Sequence, residues 1–113
     1  MSGAEDLDRQ RERAAHNQAL FRQINQRIDE LTTRFSEPGE EVGYVCECIE
    51  TDCIELLSIP HDTFEQIRRH PREFIVVPGH EDLTVEEVVD QTPRWLVVRK
   101  LGAGGELAER LSR

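Results

Sequence analysis

The sequence predicts an α+β domain: a long N-terminal amphipathic helix, a small mixed or antiparallel sheet of about five strands, and one short connecting helix. Three observations carry this. Residues 5–35 contain neither proline nor glycine and repeat apolar residues at helical spacing. Residues 42–100 break into short β-rich runs separated by Pro, Gly, Asp and Thr. At 113 residues the chain has room for one core and an appendage, not for two domains.

In the helix, Leu7, Ala14, Phe21, Ile28 and Phe35 recur every seven residues, and Ile24 and Leu31 fall between them. Phe21, Ile24, Ile28, Leu31 and Phe35 thus form a seam, widened by Leu20. Gln10 and Asn17 occupy the equivalent upstream positions, so the seam fades toward the N-terminus. About 30 residues at about 1.5 Å rise span roughly 45 Å, longer than the domain that follows. The second half is expected to dock on its own domain, on a second copy or on a partner helix, with the first half projecting.

Residues 36–41 read as a linker. Residues 42–48 and 54–59 read as two strands of a hairpin with the cysteines at its tip. Pro60 opens a short helix over 62–69, and Pro71 closes it. Residues 74–77 form a third strand. Residues 85–89 and 95–99 form a closing hairpin, although Thr84 with Glu87 imitates a capping box and makes a helix over 83–89 the alternative. Trp95 is expected in the core. Residues 101–113 read as a flexible tail, with Gly102, Gly104 and Gly105 as a joint and a segment after them too short to hold a helix alone.

The net charge is −9, and both the helix and the domain are acidic. That argues against general binding to nucleic acid or anionic membrane, which needs clustered cations. Arg68, Arg69 and Arg72 make only a small spot, offset by Glu65 and Glu73. No apolar run approaches the ~20 residues of a membrane span. The charged N-terminus lacks the apolar region of a signal peptide, so a cytoplasmic location is expected.

The sharpest chemical signal is Cys46-x-Cys48-x4-Cys53, which holds all three cysteines of the chain. Three cannot all pair as disulfides, and thiols stay reduced in the cytoplasm. Adjacent strand positions i and i+2 would turn Cys46 and Cys48 to one face, and turn-forming residues 50–52 would fold Cys53 back. A fourth ligand is needed. His80 follows the rigid Pro78-Gly79 turn and is the choice, with its second ring nitrogen expected on a backbone or carboxylate acceptor. His61, at a helix start, is the weaker alternative and is expected to face solvent. His70 suits a helix C-terminus, and His16 lies mid-helix. Cys46, Cys48, Cys53 and His80 thus suggest a structural zinc site that staples a thin core. Glu47, Glu50 and Asp52 mark the surroundings as polar, which argues against cysteines that simply pack as buried apolar residues. Those acids would raise a thiol's pKa, which disfavours a reactive redox pair.

Asn17-x-x-Leu20-Phe21-Arg22-x-x-Asn25-x-x-Ile28, the three cysteines, Phe74-x3-Pro78-Gly79-His80 and Trp95-Leu96-Val97-Val98 together resemble a family of small, uncharacterised bacterial proteins with a CxC-x4-C plus Pro-Gly-His signature. The resemblance implies a shared site on these four residues and brings no activity with it. Pro60 departs from the family pattern, which has a threonine there. No nucleophile elbow or phosphate loop is present, and four ligands would close a zinc sphere, so an enzyme is not expected. The expectation is a non-enzymatic regulatory or adaptor module that binds a protein partner, or itself, through Phe21, Ile24, Ile28, Leu31 and Phe35. The alternative is a thiol-redox sensor that releases zinc when its cysteines oxidise.

Overall fold

The computed structural model describes residues 3–32, 34–35, 37, 39–50 and 52–112. Its order is α1 (Gly3–Thr32), β1 (Glu41–Val45), β2 (Leu56–Pro60), α2 (His61–Arg68), β3 (Glu73–Val76), β4 (Glu86–Gln91), β5 (Leu96–Lys100) and α3 (Gly102–Leu111). The class is α+β as expected. The five strands fall in two antiparallel sheets, β1-β2 and β3-β5-β4, not in one. The reason lies at Val45, where β1 ends. Its outward N–H and C=O pair with the Asn25 side chain of α1, at 2.7 and 2.8 Å, and not with another strand. The chain then crosses to the second sheet: the Cys46 N–H still donates to Glu55 O, but the Glu47 N–H donates to Ile75 O in β3.

The closing hairpin forms as β4-β5, and the helix alternative over 83–89 does not. Thr84 bonds back to Asp82 through both its N–H and its hydroxyl, a local turn that competes with a cap. Alternating residues of β1 and β2 (Val42, Tyr44, Leu57, Ile59) meet Phe64 and Ile67 of α2, with Ile75, Trp95 and Val97 from the other sheet. Tyr44 and Phe64 stack at 4.2 Å. A second cluster joins Phe74, Val76, Leu96 and Val98 to Ala108 and to the cysteines themselves.

The C-terminus corrects the sequence reading. Residues 102–111 are a helix packed on α1, not a flexible tail with a glycine joint. The glycines allow close approach: a Cβ on Gly104 would lie 2.7 Å from Arg11 O, and one on Gly105 would lie 2.9 Å from Lys100 O. Neighbouring surface supplies what an isolated short helix lacks. From Arg11 on, the first half of α1 accordingly packs and does not project, with Ala14 and Ala15 buried, whereas Asp6 and Asp8 to Gln10 are exposed. Helix α1 ends at Thr32, so Phe35 sits beyond it in a turn and is 88% exposed. Ser36 and Pro38 of the expected linker lie outside the described residues, and Glu41 already belongs to β1.

Of the docking alternatives for α1, contact with its own domain is made chiefly by a polar face and only in part by the apolar seam. Gln18, Arg22, Asn25 and Asp29 are buried, whereas Leu20, Ile24 and Leu31 are 57, 47 and 48% exposed. Of the seam, Ile28 packs against the core and Phe21 is half-buried. Among the described residues no helix is long and apolar enough to cross a membrane.

Candidate metal centre

The buried polar face of α1 builds the frame that carries the cysteines. Glu47, between Cys46 and Cys48, is fully buried. Its carboxylate accepts from Arg22 Nε (2.8 Å), Arg22 Nη2 (3.0 Å), Asn25 Nδ2 (3.0 Å) and the Ile75 N–H (2.9 Å). Arg22 also donates to Glu73 O and lies 4.6 Å over the Phe74 ring. Gln18 Nε2 donates to Glu47 O at 2.8 Å, and Asn17 Nδ2 to Ile49 O at 3.2 Å. An irregular segment with few ladder bonds is thereby held by side chains, which meets the requirement that buried backbone groups be paired. The expectation that polar neighbours keep the cysteines from burial does not hold: Cys46 and Cys48 are buried, and only Cys53 is partly exposed.

His80 arrives on a separate turn. Its N–H donates to Val77 O at 2.8 Å, and Gly79 has φ +98°. That is the pattern of a type II turn, with proline first and a residue of positive φ second. It brings His80 Nδ1 to 3.6 Å from both Cys46 Sγ and Cys53 Sγ. The ligand atoms of Cys46, Cys48, Cys53 and His80 all lie within 4.8 Å of one another. These four residues lie close together and could hold a metal ion. His61 is not among them.

The geometry fits a tetrahedral thiolate-imidazole centre. Zinc bonds of about 2.3 Å to sulfur and about 2.05 Å to nitrogen give a sulfur-nitrogen edge of about 3.6 Å, and two such edges are present at 3.6 Å. The remaining imidazole nitrogen, Nε2, lies 2.9 Å from Glu55 Oε2, the carboxylate that orients a ligating histidine. The Val77 N–H points at Cys46 Sγ at 3.2 Å, a donor suited to a sulfur that carries charge. Burial pushes the Cys46 and Cys48 thiols up from their ordinary value, opposed at Cys46 by that Val77 N–H. Protonated, Cys48 donates to Glu50 O at 3.8 Å. A cation is what would turn such thiols into thiolates here.

Glu55 was not singled out from sequence, and Arg22 and Asn25 stood only as part of the Asn17–Ile28 pattern, with no link to Glu47. The frame had a signal: Gln18, Arg22, Asn25 and Asp29 repeat at the same four-three-four spacing as the apolar seam, on a neighbouring face roughly 110° round the helix. Glu55 had none, because a lone acid at a strand start is ordinary. No protein family, curated protein or solved structure matches the chain.

Proposed function

We propose that this chain is a zinc-stabilised regulatory or adaptor module whose helix α1 binds a protein partner. The observation that carries the reading is the docking of α1 by its polar face. Its polar residues are spent on holding the cysteine loop, and Leu20, Ile24 and Leu31 are left on the outside beside a groove of about 600 Å³. Exposed apolar stripes of this kind mark interaction surfaces. Arg27 lines the same groove, paired with Glu30 at 3.5 Å, and Arg34 is exposed two residues beyond the helix, so the strip carries cations that an acidic partner could engage. That suits an amphipathic helix with acidic flanks laid in the groove, while the net charge of −9 opposes close pairing of two copies. With three sulfurs and one imidazole as ligands, zinc would be structural.

The test uses the full chain, because α1 belongs to the core. Ile24→Glu with Leu31→Glu should leave metal content and far-UV signal unchanged and abolish capture of the wild-type interactor. An interactor retained by the double variant refutes docking on this stripe. Self-association would show instead as a concentration-dependent mass that the same variant removes.

A second reading, the thiol-redox sensor, is favoured by the half-exposed Cys53, which with His80 lines an open cleft. Peroxide would take two electrons from two thiolates, form one disulfide and release zinc, with the peroxide reduced to water. Zinc release that is reversed by a thiol reductant supports sensing. Irreversible loss, or none, removes it.

A further inference from the structure

We propose that Asp29, His61 and Glu65 form a second cation site, taking a divalent first-row transition-metal ion on two carboxylates and one imidazole. It is built from different elements and different donor chemistry than the cysteine centre. Asp29 comes from the last turns of α1, and His61 and Glu65 from one face of α2, four residues apart. Their ligand atoms all lie within 4.8 Å of one another.

Each residue is held as a ligand is held. Asp29 is buried, and the Tyr44 hydroxyl donates to its Oδ1 at 2.7 Å, which fixes the carboxylate. Glu65 faces Asp29, with a carboxylate oxygen of each within 4.8 Å of the other. Two carboxyl groups this close need a positive charge between them, either a shared proton or a cation. His61 Nε2 lies 3.2 Å from Glu37 O, so the Nε2–H donates there and Nδ1 carries the lone pair. That Nδ1 is buried and has no hydrogen-bond partner. A buried, unpartnered imidazole lone pair beside two facing carboxyls is what a cation would satisfy, and the backbone acceptor on Nε2 is the usual outer contact of a ligating histidine. Sequence reasoning had turned His61 toward solvent, but the chain bends at Pro60 and swings it under α1.

The chemistry separates the two centres. Sulfur-rich ligands select zinc, whereas one imidazole with two carboxylates suits manganese, iron, cobalt or zinc and leaves positions for water. A cation here would tie the C-terminal end of α1 to the start of α2.

Cobalt distinguishes the sites on the full chain. Wild-type protein carrying one equivalent of zinc is titrated anaerobically with Co²⁺. A second equivalent should bind with weak visible bands and no sulfur-to-cobalt charge transfer, and its paramagnetic shifts should centre on Asp29, His61 and Glu65. His61→Ala and Glu65→Gln should each weaken it more than about tenfold, and Tyr44→Phe by about 10–100-fold as loss of an outer contact. Cys53→Ser should leave it intact, so a failed cysteine centre and a failed second site are told apart. No cobalt bound beyond the first equivalent at millimolar free metal, or paramagnetic shifts centred elsewhere in the wild type, overturns the proposal, whatever the variants do to folding.

Discussion

Replacing Glu47 with glutamine isolates the frame beneath the cysteines. The change keeps the shape, removes one charge and turns one acceptor oxygen into an NH₂ donor. Each carboxylate oxygen now receives one bond from Arg22 and one more, from Asn25 on Oε2 or Ile75 on Oε1. Either orientation of the amide therefore faces two donors with a donor and leaves the Arg22 charge without its buried partner. Removing one partner of a buried ion pair costs about 3–5 kcal/mol, and an unsatisfied buried donor about 1–3 kcal/mol. These overlap, and Arg22 keeps its bond to Glu73 O and its place over Phe74. We expect a loss of about 4 kcal/mol, a large share of the roughly 5–15 kcal/mol available to a domain. Urea unfolding at saturating zinc measures it, with an unchanged slope showing that the unfolded state is the same. Glu87→Gln, at an exposed site 3.5 Å from Arg99, is the control and should change stability by less than about 0.5 kcal/mol. The double change Arg22→Met with Glu47→Gln should be less harmful than the sum of the two single changes. A loss below about 1 kcal/mol for Glu47→Gln would refute the view that this carboxylate organises the loop.

Three further outcomes follow from contacts near the site. Glu55→Gln removes the carboxylate on His80 Nε2 and should lower zinc affinity about tenfold or more in a chelator competition; unchanged affinity would show that His80 needs no orienting partner. Gly104→Ala would raise helix propensity by about 1 kcal/mol in open helix. Here the new Cβ meets the Arg11 backbone, so the thermal midpoint should fall, as for overpacking that costs about 1–3 kcal/mol; a rise would mean that α3 is not seated on α1. Metal-free protein should lose stability as pH rises above about 8.5, where thiols of an unfolded chain ionise, because burial keeps Cys46 and Cys48 protonated in the fold. The sign follows from a raised folded-state pKa: the contribution is complete below the unfolded value and is lost above it. Denaturant titrations across that range should show a smaller slope once zinc holds the cysteines as thiolates, and equal slopes would contradict the buried-thiol picture.

What the sequence made legible was set by local chemistry. The type II turn at Pro78-Gly79 needs only its own residues, so the turn that presents His80 was legible before any fold was known. The same holds for Pro60 and Pro71 around α2. Tertiary packing decided the rest. The glycines from Gly102 to Gly105 look like a joint in isolation, yet their missing side chains are what seats α3 on α1. Val45 looked like the middle of a strand because nothing local says that Asn25 will cap its outer edge.

The polar docking of α1 follows from the same competition. An apolar stripe is normally the face that docks, because burying it releases the most free energy per unit area. The segment 46–49 changes the balance. It carries two of the clustered cysteines and leaves the regular β1-β2 ladder, and its carbonyls and N–H groups need partners that leucine and isoleucine cannot supply. Asn17 and Gln18 supply them to the Ile49 and Glu47 carbonyls, Arg22 and Asn25 supply them to the buried Glu47 carboxylate, and a cost of several kcal/mol would attend each buried group left unmet. Seating the polar face inward satisfies the loop and turns Leu20, Ile24 and Leu31 outward as a consequence. On this account the cysteine centre and the exposed stripe share one cause. If Glu47→Gln frees the loop, the preference of α1 for its polar face should weaken as well, and Ile24 and Leu31 should become more protected in hydrogen exchange or side-chain labelling, the opposite of what general loosening would produce.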